Sequence, residues 1–367
     1  MKVLTVAGAR PNFIKIAPLM AAYRAHPEIQ AVLVHTGQHY DAKMSRLFFD
    51  QLRIPRPDVN LEVGSGSHAA QTAEIMRRFE PVVLEQRPDA VVVVGDVNST
   101  VACALVAVKL GVKVVHVEAG LRSFDRTMPE EINRVVTDAI SDLLCVSEPS
   151  GHGNLRAEGI PEERIAFVGN VMIDTLLAHR QAAEATTILE GLGLGPGRYV
   201  AVTLHRPSNV DDAATLERLL GVLETIARRT VVVFPIHPRT RARLADAGLA
   251  ARAAATANLR LIEPLGYLEF IRLMAHARCV LTDSGGIQEE TTILKVPCLT
   301  LRRNTERPIT VEVGTNRLVG DDPQAILAAY AEIEAGRVPQ GRLPEKWDGH
   351  AAERIADILV ASLGGRR

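Results

Sequence analysis

The chain has 367 residues, 47% of them hydrophobic, and 42 basic against 43 acidic side chains leave a formal net charge of −1. That length holds about two domains with a sizeable core each, and the balanced charge argues against the basic stripe of a nucleic-acid or anionic-membrane binder. No apolar run reaches membrane-spanning length. The four cysteines (Cys103, Cys145, Cys279, Cys298) are scattered without paired spacing, and Met1-Lys2 leads directly into a strand pattern. A soluble cytoplasmic protein with inert core thiols and no leader is expected.

In chain order, the first half alternates short β-branched runs with helical patterns. Strands are expected at 3–6, 31–35, 90–94, 112–117, 143–146 and 165–168, with helices over 18–25, 71–86, 100–110 and 130–140. Such apolar runs suit strands covered on both faces, as in a parallel α/β sheet. The rhythm restarts after Val168-Gly169-Asn170: strands at 199–204, 231–235, 259–262, 279–282, 298–301 and 317–319, a glycine-rich loop at 191–197, and a closing helix over 350–363. The expectation is an α/β chain of two Rossmann-like, doubly wound domains, 1–169 and 170–348, facing a central cleft, with the helix at 349–367 packing back on the first.

The polar residues gather at strand ends, where open α/β sheets bind ligands. Gly8-Ala9-Arg10-Pro11-Asn12-Phe13-Ile14-Lys15 lacks the ending of a Walker loop and the spaced glycines of a dinucleotide site. Arg10 and Lys15 flank a strand-to-helix turn, where they either point at a phosphate or form a solvated basic pair. Gly95-Asp96 ends the most hydrophobic strand; by itself an Asp there reads as a helix N-cap or turn former rather than as a site residue. In His116-Val117-Glu118-Ala119-Gly120-Leu121-Arg122, alternation places His116 and Glu118 on one face. A zinc-deaminase reading of that His-x-Glu fails because no Pro-Cys-x-x-Cys accompanies it. Pro129-Glu130-Glu131 opens a helix with acids in its first turn, and for Glu131 dipole complementarity suffices. Asp96, Glu118 and Glu130 thus converge from different loops, and crowded carboxylates have their pKa values spread apart, one as acid and one as base.

In the second half, His205 of Thr203-Leu204-His205-Arg206-Pro207 stands at a strand end, to bind phosphate, to protonate a leaving group or to cap the strand; His237 holds an equivalent place one strand on. Pro264-Leu265-Gly266-Tyr267-Leu268-Glu269-Phe270 precedes a helix, and Leu265 backbone with Phe270 would frame a base, although Phe270 at helical spacing is by default core. Thr282-Asp283-Ser284-Gly285-Gly286-Ile287-Gln288-Glu289-Glu290 joins a strand to a helix start: the glycines admit a phosphate to unpaired N–H groups, with Glu290 in reach of a ribose. Arg307 in Thr305-Glu306-Arg307-Pro308 is a further hydroxyl or phosphate partner.

Taken in order, Gly8–Lys15, Thr36-Gly37-Gln38-His39, Gly95-Asp96, His116–Arg122, Pro129–Arg134, His205-Arg206, Thr282–Glu290 and Thr305–Pro308 resemble the non-hydrolysing UDP-N-acetylglucosamine 2-epimerases over nearly the whole chain. The resemblance implies a glycosyltransferase-B fold, reversible C2 epimerisation of UDP-N-acetylglucosamine for surface polysaccharide precursors, no NAD or metal cofactor, and a homodimer. It implies UDP phosphates at Ser284, Gly285 and Gly286, ribose on Glu290, and the base framed by Leu265 and Phe270. Arg10, Lys15, His205 and Arg307 would surround diphosphate and sugar, with Asp96 and Glu118 touching substrate; Asp96, Glu118, Glu130 and His205 match the catalytic positions.

The chain departs from the common bacterial pattern after His39, where Tyr40-Asp41-Ala42-Lys43-Met44 replaces the run of the substrate-activated enzymes. It departs again at Pro207-Ser208-Asn209, and the segment between Arg122 and Pro129 is short. Competing expectations are epimerisation of another UDP-2-acetamido sugar such as a 2,3-diacetamido uronic acid, a hydrolysing 2-epimerase, a glycosyltransferase of the same fold, and a nucleotide-sugar sensor with a degenerate site.

Overall fold

The computed structural model describes residues 1–38, 48–338 and 340–363. His39, the departure at Tyr40–Met44 and the Arg10 side chain lie outside the described residues. The chain divides into two compact units, Met1–Ala178 with Glu345–Arg367, and His179–Pro344. The division falls inside the helix Val171–Glu184, past the Gly169-Asn170 junction.

Among the described residues the first unit carries seven strands, β1 (Lys2–Ala7), β2 (Gln30–His35), β3 (Val59–Asn60), β4 (Ala90–Val94), β5 (Lys113–Ala119), β6 (Leu143–Val146) and β7 (Ile165–Phe167), in the order β3-β2-β1-β4-β5-β6-β7. The second carries β8 (Tyr199–Thr203), β9 (Val231–Pro235), β10 (Leu259–Ile262), β11 (Cys279–Thr282), β12 (Cys298–Thr300) and β13 (Asn316–Leu318), in the order β10-β9-β8-β11-β12-β13. Every pairing is parallel. All five residues of β4 (Ala-Val-Val-Val-Val) are buried, as a central strand covered on both faces requires. In each sheet the order reverses once, between β1 and β4 and between β8 and β11, and ligands bind beyond the strand ends at such points.

Helices bury apolar stripes against these sheets. Ile75, Phe79 and Val83 of the helix His68–Gln86 pack on Leu4, Val6, Val91 and Val93. In the second unit, Leu216, Leu219 and Leu223 cover Val200, Val202 and Phe234, while Leu273 and Met274 cover Tyr199, Val233 and Val280. Among the described residues no helix is long and apolar enough to cross a membrane.

Two elements differ from expectation. The first helix spans Arg10–Tyr23, starting well before residue 18. Pro11 sits in its first turn, where the missing N–H has no intrahelical use. Pro18 stands inside it and leaves the Ile14 carbonyl without its helical donor; the Thr175 hydroxyl donates to that carbonyl at 2.6 Å instead. The pair β3, two residues long, carries no periodicity for sequence reasoning to detect.

The chain returns to the first unit through its last segment. The Trp347 indole N–H donates to Ser147 O at 2.9 Å, Lys346 Nζ to Phe167 O at 2.8 Å and Arg354 Nη1 to Val168 O at 3.0 Å. Asp174 accepts from Ala351 N and Ala352 N at 3.2 and 2.7 Å, capping the helix Ala351–Leu363 from a distance. Gly169 has φ +92°, and a Cβ there would lie 2.0 Å from Lys346 O, so only glycine lets the returning chain close against it.

Candidate active site

At the end of the first sheet, Gly8 follows β1 with no room for a side chain, since a Cβ would meet Ser99 Oγ at 2.3 Å. Ser99 donates from its backbone N and its hydroxyl to Gln38 Oε1, at 3.2 and 2.7 Å, so Gln38 is pinned to the start of the helix Asn98–Lys109. Asn12, in the first turn of the helix Arg10–Tyr23, accepts from Gly8 N and Ala9 N at 3.1 and 3.0 Å and donates to Val94 O at 2.8 Å. The turn after β1 is thereby fastened to the end of β4. One helical turn on, Lys15 is buried and ion-paired with Glu118 of β5.

Glu118 reaches Lys15 through an irregularity in its strand. The β5–β6 register shifts between Val117 and Ala119, and Glu118 has φ +72°. A bulge with a left-handed residue re-aims its side chain. His116 and Glu118 consequently turn to different helices, contrary to the alternation expected. His116 Nδ1 lies 2.6 Å from Asp138 Oδ1 in the helix Pro129–Ile140, while Glu118 meets the helix Arg10–Tyr23. The other nitrogen of His116, Nε2, is 2.8 Å from Gly95 O, so both ring nitrogens are engaged in holding the β4 end. Asp138 also pairs with Arg122 at 2.7 Å and accepts from Gly120 N at 3.0 Å. Burial opposes its ionisation, but the charges and hydrogen bonds of His116 and Arg122 hold it below the usual aspartate value.

A Cβ on Gly95 would stand 3.0 Å from Lys15 Nζ and 3.3 Å from Glu118 Oε2, which brings the Gly95-Asp96 turn against the Lys15–Glu118 pair. Asp96, a quarter exposed, accepts from Arg134 Nε and Nη2 at 3.1 and 2.7 Å. Arg134 is fully buried and also pairs with Glu131. Glu131 accepts from Ser123 N, Ser123 Oγ and Phe124 N at 2.9, 3.0 and 2.8 Å. It therefore anchors the loop ahead of its own helix, a larger role than the dipole complementarity expected of it. Glu130, beside it, is half-buried, and its side chain has no hydrogen-bond or ion-pair partner among the described residues.

At the end of the second sheet, the β8–β11 register pairs Thr203 with Thr282, so the residues just beyond them abut. Asp283, fully buried, accepts from His205 N at 3.0 Å, Arg206 N at 2.9 Å and Asn209 Nδ2 at 3.1 Å. Its other oxygen lies 2.9 Å from Nδ1 of His205, whose side chain is 49% exposed. Burial opposes ionisation of Asp283, and the His205 charge and the backbone N–H groups outweigh it, holding the carboxyl below its usual value.

The helix Gly285–Leu294 starts at Ser284, which makes no side-chain cap hydrogen bond, so the first-turn N–H groups have no cap of that kind. A Cβ on Gly285 would lie 2.5 Å from Arg307 Nη1. Arg307 is buried between Glu289 and Glu306, 2.8 Å from each, and Glu306 also takes Arg302 at 2.7 Å and Arg206 at 3.4 Å. Burial lowers the pKa of Arg302, with Glu306 opposing. Glu290 is buried and accepts from the Tyr267 hydroxyl at 3.1 Å. Burial first, and the neighbouring Glu289 charge, raise its pKa to about 8 against the Tyr267 hydrogen bond. Leu265 and Phe270 are half-buried and pack on the core around Tyr199 and Met274, for Phe270 the default that its helical spacing implies. His237 is exposed, and its Nδ1 accepts from Arg239 N at 3.2 Å as a helix cap.

In the first unit Lys15, Asp96 and Glu118 thus meet around the Gly95 turn; in the second, His205 and the Ser284–Gly285 turn share Asp283 at the β8–β11 switch, with Arg307 against Gly285. Sequence reasoning passed over Arg134, Asp138, Tyr267 and Asp283. Each lies within or beside a motif, but its signal is a contact made by an exposed or reactive neighbour, visible only once the strands are registered.

Two parallel doubly wound sheets, each with polar groups collected where its strand order reverses, define an α/β protein of the glycosyltransferase-B architecture. Within that class, the family model for UDP-N-acetylglucosamine 2-epimerase matches residues 21–360, and the chain belongs to that family. It is 47% identical to the UDP-N-acetylglucosamine 2-epimerase homolog of Methanococcus maripaludis, covering 98% of this chain and 99% of that one. It is 41% identical to the UDP-2,3-diacetamido-2,3-dideoxy-D-glucuronate 2-epimerase of Pseudomonas aeruginosa, again over 98% and 99%. The crystal structure of Methanocaldococcus jannaschii UDP-GlcNAc 2-epimerase in complex with UDP-GlcNAc and UDP matches with a TM-score of 0.91 at 42% identity, covering 98% of this chain and 100% of that one.

Proposed function

We propose that the chain interconverts UDP-N-acetylglucosamine and UDP-N-acetylmannosamine without hydrolysis. A carboxylate removes the C2 proton as the C1–oxygen bond breaks; the electron pair of that bond leaves with UDP, and a 2-acetamidoglucal remains. Re-addition of UDP to C1, with a proton delivered to the opposite face of C2, inverts that centre. Two faces need two proton-transfer groups, and a departing diphosphate needs cations and N–H groups.

The observation that carries this reading is the unequal partnering of three carboxylates. Glu118 is matched by buried Lys15 and Asp96 by Arg134, while the Glu130 side chain has no hydrogen-bond or ion-pair partner among the described residues. Carboxylates held by different partners on different elements supply the two separate proton-transfer groups that inversion at C2 requires. In this reading Asp96, Glu118, Glu130 and His205 are catalytic. Ser284, Gly285, Gly286 and Arg307 hold the diphosphate with Arg10, Lys15 and His205, Glu290 holds the ribose, and Leu265 and Phe270 frame the uracil.

The 41% identity with the diacetamido-glucuronate epimerase supports a second substrate, a UDP-2,3-diacetamido uronic acid, for the same chemistry. The test is NMR of each sugar nucleotide with the protein in deuterated water. Epimerisation predicts the C2 epimer with deuterium at C2 in both sugars, for the true substrate only. Free N-acetylmannosamine with UDP points to the hydrolysing type, and UDP binding without C2 exchange removes the epimerase reading. Asp96→Asn, Glu118→Gln and Glu130→Gln should each lose turnover while keeping UDP affinity within about tenfold.

A further inference from the structure

We infer that Asp283 is a positioning residue for His205: its carboxylate holds the imidazole by Nδ1, so that Nε2 is the nitrogen presented to bound substrate. This rests on the reading of His205 as a group that touches the UDP sugar.

The argument begins at the sheet. Because β8 and β11 are neighbours with Thr203 opposite Thr282, the chain leaving β8 passes directly over the residue leaving β11. Asp283 is 0% exposed there, and a buried carboxylate is costly unless its lone pairs are filled. They are filled from the His205 segment. One oxygen takes the backbone N–H of His205 and of Arg206 and the Asn209 amide; the other lies 2.9 Å from His205 Nδ1. The backbone bonds fix where the residue starts, and the side-chain bond fixes how the ring is turned.

An ionised carboxylate only accepts, so Nδ1 carries the proton. In the neutral ring Nε2 is then left as the acceptor, and in the charged ring it is a donor, both on the edge away from Asp283. That edge belongs to a side chain still 49% exposed, so the ring is held by its back and open at its front. When Nε2 takes up a proton, the carboxylate behind the ring stabilises the imidazolium that forms. A helix cap would explain the backbone bonds, but it would not need the imidazole nitrogen.

The decisive measurement is long-range 15N–1H NMR of histidine-labelled protein, with the His205 signal identified by its loss in His205→Gln. We expect wild-type His205, where neutral, to carry its proton on Nδ1; a proton on Nε2 overturns the assignment, and this holds even where Asp283→Asn does not fold. In folded Asp283→Asn, kcat should fall on the order of a hundredfold or more, with KM and UDP affinity within about threefold and His205 shifted to mixed tautomers. The double variant Asp283→Asn, His205→Gln should be no slower than His205→Gln alone. Wild-type kcat in folded Asp283→Asn, or losses that multiply in the double variant, would refute the inference. Failure of wild-type protein to epimerise any UDP sugar would instead strike the proposed function, leaving the tautomer to be read by NMR.

Discussion

The acidic side chains at the two sheet ends differ less in what they are than in what surrounds them. Asp96, Glu118 and Glu131 are each tied to a basic group or to backbone N–H groups, whereas Glu290 is buried against a tyrosine and beside Glu289. With its pKa raised to about 8, Glu290 is mostly protonated at neutral pH in the free protein. In the proposed reading Glu290 holds the ribose, and a carboxylate accepts both its hydroxyls better than a carboxylic acid does, so binding there would favour the ionised form and release a proton. UDP affinity should therefore rise with pH between about 6 and 8, by up to about tenfold per pH unit. Calorimetry in buffers of different ionisation heat checks this against Glu290→Gln, which should lack the added slope and proton release. Parallel pH profiles for the two proteins would remove the ribose role.

At the scale of elements, each site group is set by how a strand ends. The bulge in β5 turns Glu118 toward Lys15, and the Ser284–Gly285 turn brings the helix Gly285–Leu294 close under Arg307. Arg307 cannot swing aside freely, being held by Glu289 and Glu306. A methyl at position 285 must displace it, since the added Cβ would lie 2.5 Å from Nη1 and 3.0 Å from Cζ. Gly285→Ala should weaken UDP binding at least tenfold, the range of one lost charge-assisted hydrogen bond, about 1.5–3 kcal/mol. The fold should remain intact by circular dichroism. Unchanged UDP affinity in a titration would show that the turn does not hold the diphosphate.

On the scale of the molecule, the chain starts and finishes in the same unit, and Asp174 helps fasten the closing helix there. Burial raises its pKa from 3.8 to about 6, with the N–H groups of Ala352 and Ala351 opposing. The folded value lies above the unfolded one, so this group's contribution is complete below the unfolded value and is lost as pH rises through about 6. The stability advantage of wild type over Asp174→Asn should shrink between pH 4 and 7, by roughly 3 kcal/mol. Trp347, the sole tryptophan, lies in the fastened segment and reports its release in denaturant titrations. A constant difference across that pH range would mean that Asp174 does not titrate in the window.

Much of this was legible in the residues. Val-rich runs such as 90–94 mark strands because burial on both faces leaves no polar position, and Ser284-Gly285-Gly286 marks a strand-to-helix turn because small residues fit where the chain changes element. The first helix begins at Arg10, ahead of the expected 18–25, and runs through Pro18 because Thr175, far along the chain, supplies the donor that Pro18 lacks. Sequence by itself determined the class of fold and the motifs at the strand ends, since hydrophobic period and turn chemistry are local properties. Only the tertiary structure decided that His116 and Glu118 serve different helices, that Glu131 anchors a loop, and that Asp283 stands behind His205. Those outcomes depend on strand register, one bulge and the filling of buried lone pairs, and none of these is carried by any single stretch of chain.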